Sequence, residues 1–178
     1  MSTPLQSGVT ASASVHRAKS TRQCVGFLLN DQEYAFRIEQ IQEIVIPDRV
    51  TRVPQVPDYI EGVCNLRGTI IPIIRLRRLL NLTDRDHDSE TRTIVVNVGP
   101  RTMGCTVDSV TQVIRFAPEQ LQPAPELVRA QAANSIAGFV KLESRVIVLL
   151  EIMELLDPEK LDQVHDAARQ GLLTTEST

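Results

Sequence analysis

The chain has 178 residues, 42% of them hydrophobic, which suits one domain or two small subdomains sharing a core. Aromatic residues make up only 3% and Trp is absent, so the interior has to be built from Val, Ile and Leu, types that favour strands when β-branched. A net charge of −3, with no basic face and no aromatic stacking platform, argues against nucleic-acid binding, and no apolar run reaches the roughly 18 to 20 residues of a membrane span.

Residues 1–22 are rich in Ser, Thr and Ala and carry His16, Arg17, Lys19 and Arg22; the first acid is Asp31. This is the composition of a disordered tail. A transit peptide would add an amphipathic apolar stripe, and a secretory signal an apolar core segment. Order is expected from Gln23. CVGFLL (24–29), turn residues NDQE and YAFRI (34–38) read as a β-hairpin. IEQIQEIVI (38–46) fits a helical face through Ile38, Ile41 and Val45, and equally a strand through Ile44 and Ile46. Pro54 and Pro57 favour an extended loop over 49–62.

VCNLRGTIIPIIRL (63–76) reads as a long hairpin turning at Arg67-Gly68. Pro72 donates no ladder hydrogen bond, which predicts that its strand lies at an edge or carries a bulge. RRLLNL (77–82) is a short helical turn, and TDRDHDSET (83–91) a solvated loop. TIVVNV (93–98), the turn at 99–101 and TMGCTV (102–107) form a second hairpin, followed by SVTQVIRF (109–116). A loop with Pro118, Pro123 and Pro125 leads to IAGFVKLESRVIVLLEI (136–152), and residues 153–173 have a helical pattern, with Asp157 as N-cap and Pro158 opening the last helix.

Two stretches repeat. Residues 60–80 lie over 136–156 without a gap at an offset of 76, matching Gly62 with Gly138, Leu66 with Leu142, and the pair Leu79-Leu80 with Leu155-Leu156. Residues 25–45 lie over 94–114 at an offset of 69, by pattern. The expected fold is mainly β: two SH3-like five-stranded β-barrel subdomains sharing a core, with short helical turns and a C-terminal helix. The expected organisation is a tail over 1–22, a domain over 23–157 with interlocked halves near 23–92 and 93–157, and a helix and tail over 158–178. Closure of each barrel would remove its strand edges.

The copies differ in charge. Glu61 with Arg67, Arg75, Arg77 and Arg78 leaves +3 in the first, whereas Lys141 and Arg145 against Glu143, Glu151 and Glu154 leave −1 in the second. Such opposed faces suit different partners, or are simply two solvated faces. Cys24, Cys64 and Cys105 are an odd number at wide spacing, which predicts buried reduced thiols in a cytosolic protein, without disulfide or zinc site. His16, His87 and His165 stand apart from any nucleophile, no phosphate loop occurs, and Asp86-His87-Asp88 reads as a hydrophilic loop before a metal site. No catalytic residue, cofactor or metal is expected.

VPQVPDYIEGVCNLRGTIIPIIRL (53–76), GCTVDSVTQVIRF (104–116) and IAGFVKLESRVIVLLEIMELL (136–156) resemble the signature segments of the CheW family of chemotaxis coupling proteins. The resemblance covers about 23–157. It implies two five-stranded barrels and a non-catalytic, cytoplasmic adaptor. Its partners would be the regulatory domain of a CheA-type histidine kinase and the cytoplasmic tip of a methyl-accepting chemoreceptor, with no nucleic acid and no direct membrane insertion. Carried over by position, the kinase-facing surface includes Val25, Ile38, Glu39 and Ile41. The receptor groove includes Glu43, Ile44, Asn65 and Arg67, lined by Val110 and Val113. The residues alone also allow plain core roles for Ile38 and Ile41, and an internal Arg67–Glu43 pair. Where the family has Asp, this chain has Arg75, followed by Arg77 and Arg78, a reversal that bears on a local ion pair or on partner choice. The alternatives are an interaction module of a non-chemotaxis chemosensory-type pathway and, more distantly, a small-barrel enzyme or ligand binder.

Overall fold

The computed structural model describes residues 20–47, 49–132, 135–156 and 158–175. The expected N-terminal tail lies outside these residues as far as position 19, as do the Asp157 cap and residues 176–178; Arg22 already belongs to the first strand.

The hairpins form where alternating apolar residues flank turn residues. β1 (Arg22–Leu29) and β2 (Gln32–Arg37) pair antiparallel from Cys24↔Arg37 to Leu29↔Gln32. The ambiguous segment divides between both readings: a 3-10 turn over Ile38–Gln40, then β3 (Ile41–Val45). β4 (Ile60–Leu66) and β5 (Thr69–Arg75) form the long hairpin and run into α1 (Leu76–Leu79). The second half repeats this with β6 (Arg92–Val98), β7 (Arg101–Val107) and β8 (Ser109–Phe116). After a 3-10 turn at Pro118–Gln120 come the short β9 (Leu121–Gln122) and α2 (Glu126–Ala132), a helix inside what the sequence reads as a proline loop. β10 (Ile136–Lys141), β11 (Val146–Leu150), α3 (Ile152–Leu155) and α4 (Pro158–Thr175) complete the chain.

The strands make two sheets, ordered β8-β1-β2-β11-β10-β9 and β3-β6-β7-β5-β4. The leading hairpin of each half therefore sits in the sheet that the other half completes. It joins there through a parallel contact, β2 with β11 in one sheet and β7 with β5 in the other. Neither sheet closes by hydrogen bonding, so the expected removal of strand edges by closure does not occur; β8, β9, β3 and β4 are edges. β5 is interior, against the expectation from Pro72. Its pairing with β7 begins one residue later, at Ile73↔Gly104, so the missing N–H interrupts no paired position there. The bulge of this hairpin falls on β4 instead, between Ile60 and Gly62.

The repeat extends to that irregularity. The β10–β11 hairpin shifts register between Ile136 and Gly138, the matched positions. Both glycines admit a neighbouring backbone: a Cβ on Gly62 would lie 2.1 Å from the Thr51 carbonyl oxygen, and one on Gly138 2.6 Å from that of Gln122. Thr51 bridges to Val63, and Gln122 pairs with Phe139, the residue that matches Val63 at an offset of 76.

Burial of both faces explains the near-continuous apolar strands. A core between the sheets takes Phe27, Leu29 and Phe36 from one, Ile74, Ile94 and Met103 from the other, and Val164 and Ala167 from α4. Each sheet also curls over its own cluster: Cys24, Ile114, Phe116, Ile147 and Leu149 in the six-stranded sheet, and Ile71, Ile73 and Val95 in the five-stranded one. Along β11 the alternation sends Val148 and Leu150 to the shared core and Ile147 and Leu149 to the sheet's own. Each such fully buried side chain contributes about 1.5–3 kcal/mol.

Candidate functional site

Of the residues singled out in the sequence, Ile41, Glu43, Ile44, Asn65 and Arg67 lie on or beside the free edges β3 and β4 of the five-stranded sheet, whereas Val25, Val110 and Val113 belong to the six-stranded sheet. The β4–β5 turn has positive φ at both central residues, 51° at Arg67 and 88° at Gly68, the backbone of a two-residue hairpin of the I′ kind. Asn65 Oδ1 accepts from the Gly68 N–H at 2.7 Å and fixes the turn. Arg67 is thereby held over β3, where its Nη2 donates to Glu43 Oε2 at 2.9 Å. β3 and β4 are opposite edges of one sheet, so this pair clasps the curled sheet with charge where hydrogen bonds do not close it. The internal pairing of Arg67 with Glu43 is thus present, yet the Arg67 side chain stays 78% exposed. Glu43 Oε1 is buried and accepts no hydrogen bond among the described residues.

Beside the clasp, Ile44 and Ile46 are exposed. A cleft of about 240 Å³ opens below them, lined by Val45, Pro47, Val50, Cys64, Ile71 and Val95 among others. Ile41 is half-buried and packs on the shared core, as does Val110 of β8, its match at an offset of 69. Val113, the match of Ile44, is exposed on β8. Glu39 is exposed and Ile38 half-buried in the 3-10 turn, which lies against β1 and β6. Val25 is buried, only 4% exposed, so in this chain it is a packing residue beneath the expected kinase face.

The arginines that give the first repeat its +3 are largely consumed inside the molecule. Arg75 Nη1 donates to Asp84 Oδ2 at 2.7 Å and its Nη2 lies 3.5 Å from Glu61 Oε1. Arg78 shares Asp84, with Nε at 3.0 Å and Nη2 at 2.6 Å, and also donates to the Asp58 carbonyl. Arg77, almost fully buried, grips Asp108 with two nitrogens, Nε lying 2.6 Å from Oδ1. The Asn30 N–H of the β1–β2 turn donates to the same carboxylate at 2.8 Å, so Asp108 ties the two sheets together. Burial raises the Asp108 carboxyl, but the hydrogen bonds from Arg77 and Asn30 and the Arg77 charge outweigh it and hold the group below its ordinary value. The 83–91 loop, expected to be merely solvated, is pinned through Asp84 and through His87, whose Nε2 lies 3.1 Å from Glu61 Oε1. Among the described residues no group of three or more His, Cys, Asp and Glu side chains is placed to hold a metal ion.

In the second repeat Glu151, opposite Arg75, is also used internally. It accepts from Gln40 Nε2 at 3.0 Å and caps α3 at the Met153 N–H. Cys24 and Cys105 are buried, as expected, and burial pushes their thiols up to about 11 and about 12. Cys64 departs from that expectation: it is half-buried and lines the cleft. The Arg67–Glu43 pair is among the sequence expectations, whereas the cleft and the partners of the other arginines are not visible in the pairing pattern of the sequence. A signal for the last existed in three arginines at 75, 77 and 78 followed by acids at 84, 86 and 88.

A family model described as a CheW-like domain matches residues 23–160. A chemotaxis protein CheW of Klebsiella aerogenes is 39% identical over 143 residues, covering 80% of this chain and 86% of the relative. The chemotaxis protein CheW of Bacillus subtilis is 36% identical, covering 79% and 90%. Among solved structures, the scaffolding protein TtCheW of Thermoanaerobacter tengcongensis superposes with a TM-score of 0.71 at 26% identity, covering 78% of this chain and 94% of that one.

Proposed function

Because the chain belongs to the CheW family, we propose that it is a non-catalytic adaptor that couples chemoreceptors to a CheA-type histidine kinase in chemotaxis signalling. The observation that carries the reading is the clasp: an exposed guanidinium, anchored at one edge by Glu43 and set beside the exposed Ile44. Such a group offers donors to a carboxylate or to backbone carbonyls at the end of a helical hairpin, while the neighbouring apolar residues seat its side chains. The receptor groove in this proposal consists of Glu43, Ile44, Asn65 and Arg67 with Val110 and Val113.

The kinase-facing surface consists of Ile38, Glu39 and Ile41, with Val25 supporting it from below. Partner binding, a cytoplasmic place of action and the absence of catalysis all belong to this proposal, as does the unit 23–157 with its halves near 23–92 and 93–157. No helix among the described residues is long and apolar enough to cross a membrane, which is compatible with docking to receptors through their cytoplasmic tips. The test is direct binding of the full chain to the regulatory domain of a CheA-type kinase. Association tighter than about 50 µM is expected, and no binding at that concentration overturns the adaptor reading. Addition of receptor tip fragments then separates chemotaxis coupling from service in another chemosensory-type pathway.

A further inference from the structure

A second cleft, of about 380 Å³, runs between α4 and the strands β5 and β7. Leu161, Val164 and Ala168, spaced three and four apart on one face of α4, form one wall. Ile70, Pro72 and Met103 form the other. Three cationic or protonatable side chains line it, and no acid does. Arg101 is held by Asp162 at 3.2 Å, whereas Arg169 and His165 are exposed and make no salt bridge among the described residues. The family match ends at residue 160, so the wall carrying Arg169 lies beyond the part of the chain that defines the family.

Size and charge select the occupant. From Leu161 to Arg169 are eight helical steps, about 12 Å at 1.5 Å each. A volume of about 380 Å³ is that of a small-molecule pocket. A narrow aliphatic chain of about that length suits it. Apolar walls with an unpaired guanidinium complement one negative head group on such a chain. We propose that the cleft between α4 and β5 binds a small amphipathic carboxylate, with the acyl chain between Leu161, Val164 and Met103 and the head on Arg169.

The test is a titration of the full chain with sodium decanoate below its micelle concentration, followed by amide chemical shifts. Saturable shifts are expected at Ile70, Met103, Val164 and Ala168. Arg169→Glu is expected to weaken binding at least about tenfold, and Arg169→Lys, which keeps the charge, much less. Decyl maltoside, with the same chain and no charge, is expected to bind at least about tenfold more weakly than decanoate. Ala168→Phe, which fills the cleft without touching charge, should abolish the shifts, with native circular dichroism showing that α4 is kept. Absence of saturation, equal binding of decyl maltoside, unchanged affinity in Arg169→Glu, or shifts centred on Ile44 and Val113 would each overturn the proposal.

Discussion

In the six-stranded sheet, Phe116 at the end of β8 is 2% exposed and fills the cluster with Cys24, Ile114 and Leu149. At the corresponding place in the five-stranded sheet, 69 residues earlier, stands Pro47, and a cleft of about 240 Å³ remains, with Cys64 in its lining. The fillings are complementary at another matched position. Gly26 leaves room in the first sheet, where a Cβ would collide with Thr111, Glu33 and Ile114, and Val95 occupies it in the second. One sheet is thus plugged from within; the other keeps an opening beside its ionic clasp. The two sheets are built from matched segments, and a few side chains make one a packing unit and the other a surface with exposed apolar residues and a donor.

The largest effect expected from breaking this contrast is at the plug. Phe116→Ala leaves a cavity in the filled sheet and should cost about 3–5 kcal/mol in chemical denaturation. A loss below about 1 kcal/mol would mean that this sheet does not depend on its plug. Next is Arg77→Met, which copies Met153 from the matched position of the other repeat. It removes the guanidinium that grips the Asp108 carboxylate, and about 3 kcal/mol is expected at neutral pH because the Asn30 N–H and the Arg85 guanidinium, 4.0 Å away, remain. Asp108 titrates below its ordinary 3.8 in the folded chain, so its stabilisation is present above that value and fades as pH falls through the lower folded one. Denaturation curves from pH 7 to pH 3 should show this acid loss in the native sequence and less of it in Arg77→Met.

Smaller still are the matched glycines. Gly62 has φ +155° and the closer carbonyl, so Gly62→Ala should cost more than about 1 kcal/mol, and Gly138→Ala less, since the two-residue β9 can move away. Equal losses would show that φ and contact distance do not set the difference. The least perturbing probe leaves the fold intact. An aromatic disulfide reagent should react with Cys64 in the native chain, and with Cys24 and Cys105 only on unfolding, since both are buried with raised thiols. Fast reaction of two or three thiols would contradict the difference between an open and a plugged sheet.

The mainly β class, the paired hairpins, the helical turns and the C-terminal helix were legible because each rests on local pattern: alternation, turn residues, an N-terminal Pro. The exchange of hairpins between halves was not, because the repeat shows which segments are alike and is silent about which of two like surfaces a hairpin joins. Pro72 misled for the same reason, since its strand is interior but paired with β7 only beyond it. At the site, sequence identified Glu43, Asn65 and Arg67 but not that they span opposite edges of one sheet. It left Arg75 open between a local ion pair and partner choice, and could not name Asp84, nine residues away in an unpatterned loop, which neutralises it. Val25 carried no mark of its burial, because one apolar residue in a strand reads alike on either face.

The proposal that this chain transmits receptor state to a kinase through its clasped edge is tested most directly by one variant, Arg67→Glu, in a reconstituted receptor–kinase assay. Reversal leaves Glu43, whose side chain is 17% exposed, beside a like charge, so stability is expected to fall by about 1–3 kcal/mol with the fold kept. Receptor-dependent control of the kinase should nevertheless fall at least about tenfold, the loss of roughly 1.4 kcal/mol of coupling. Normal receptor control by the folded variant would contradict the assignment of Arg67 and the clasped edge to the signalling interface.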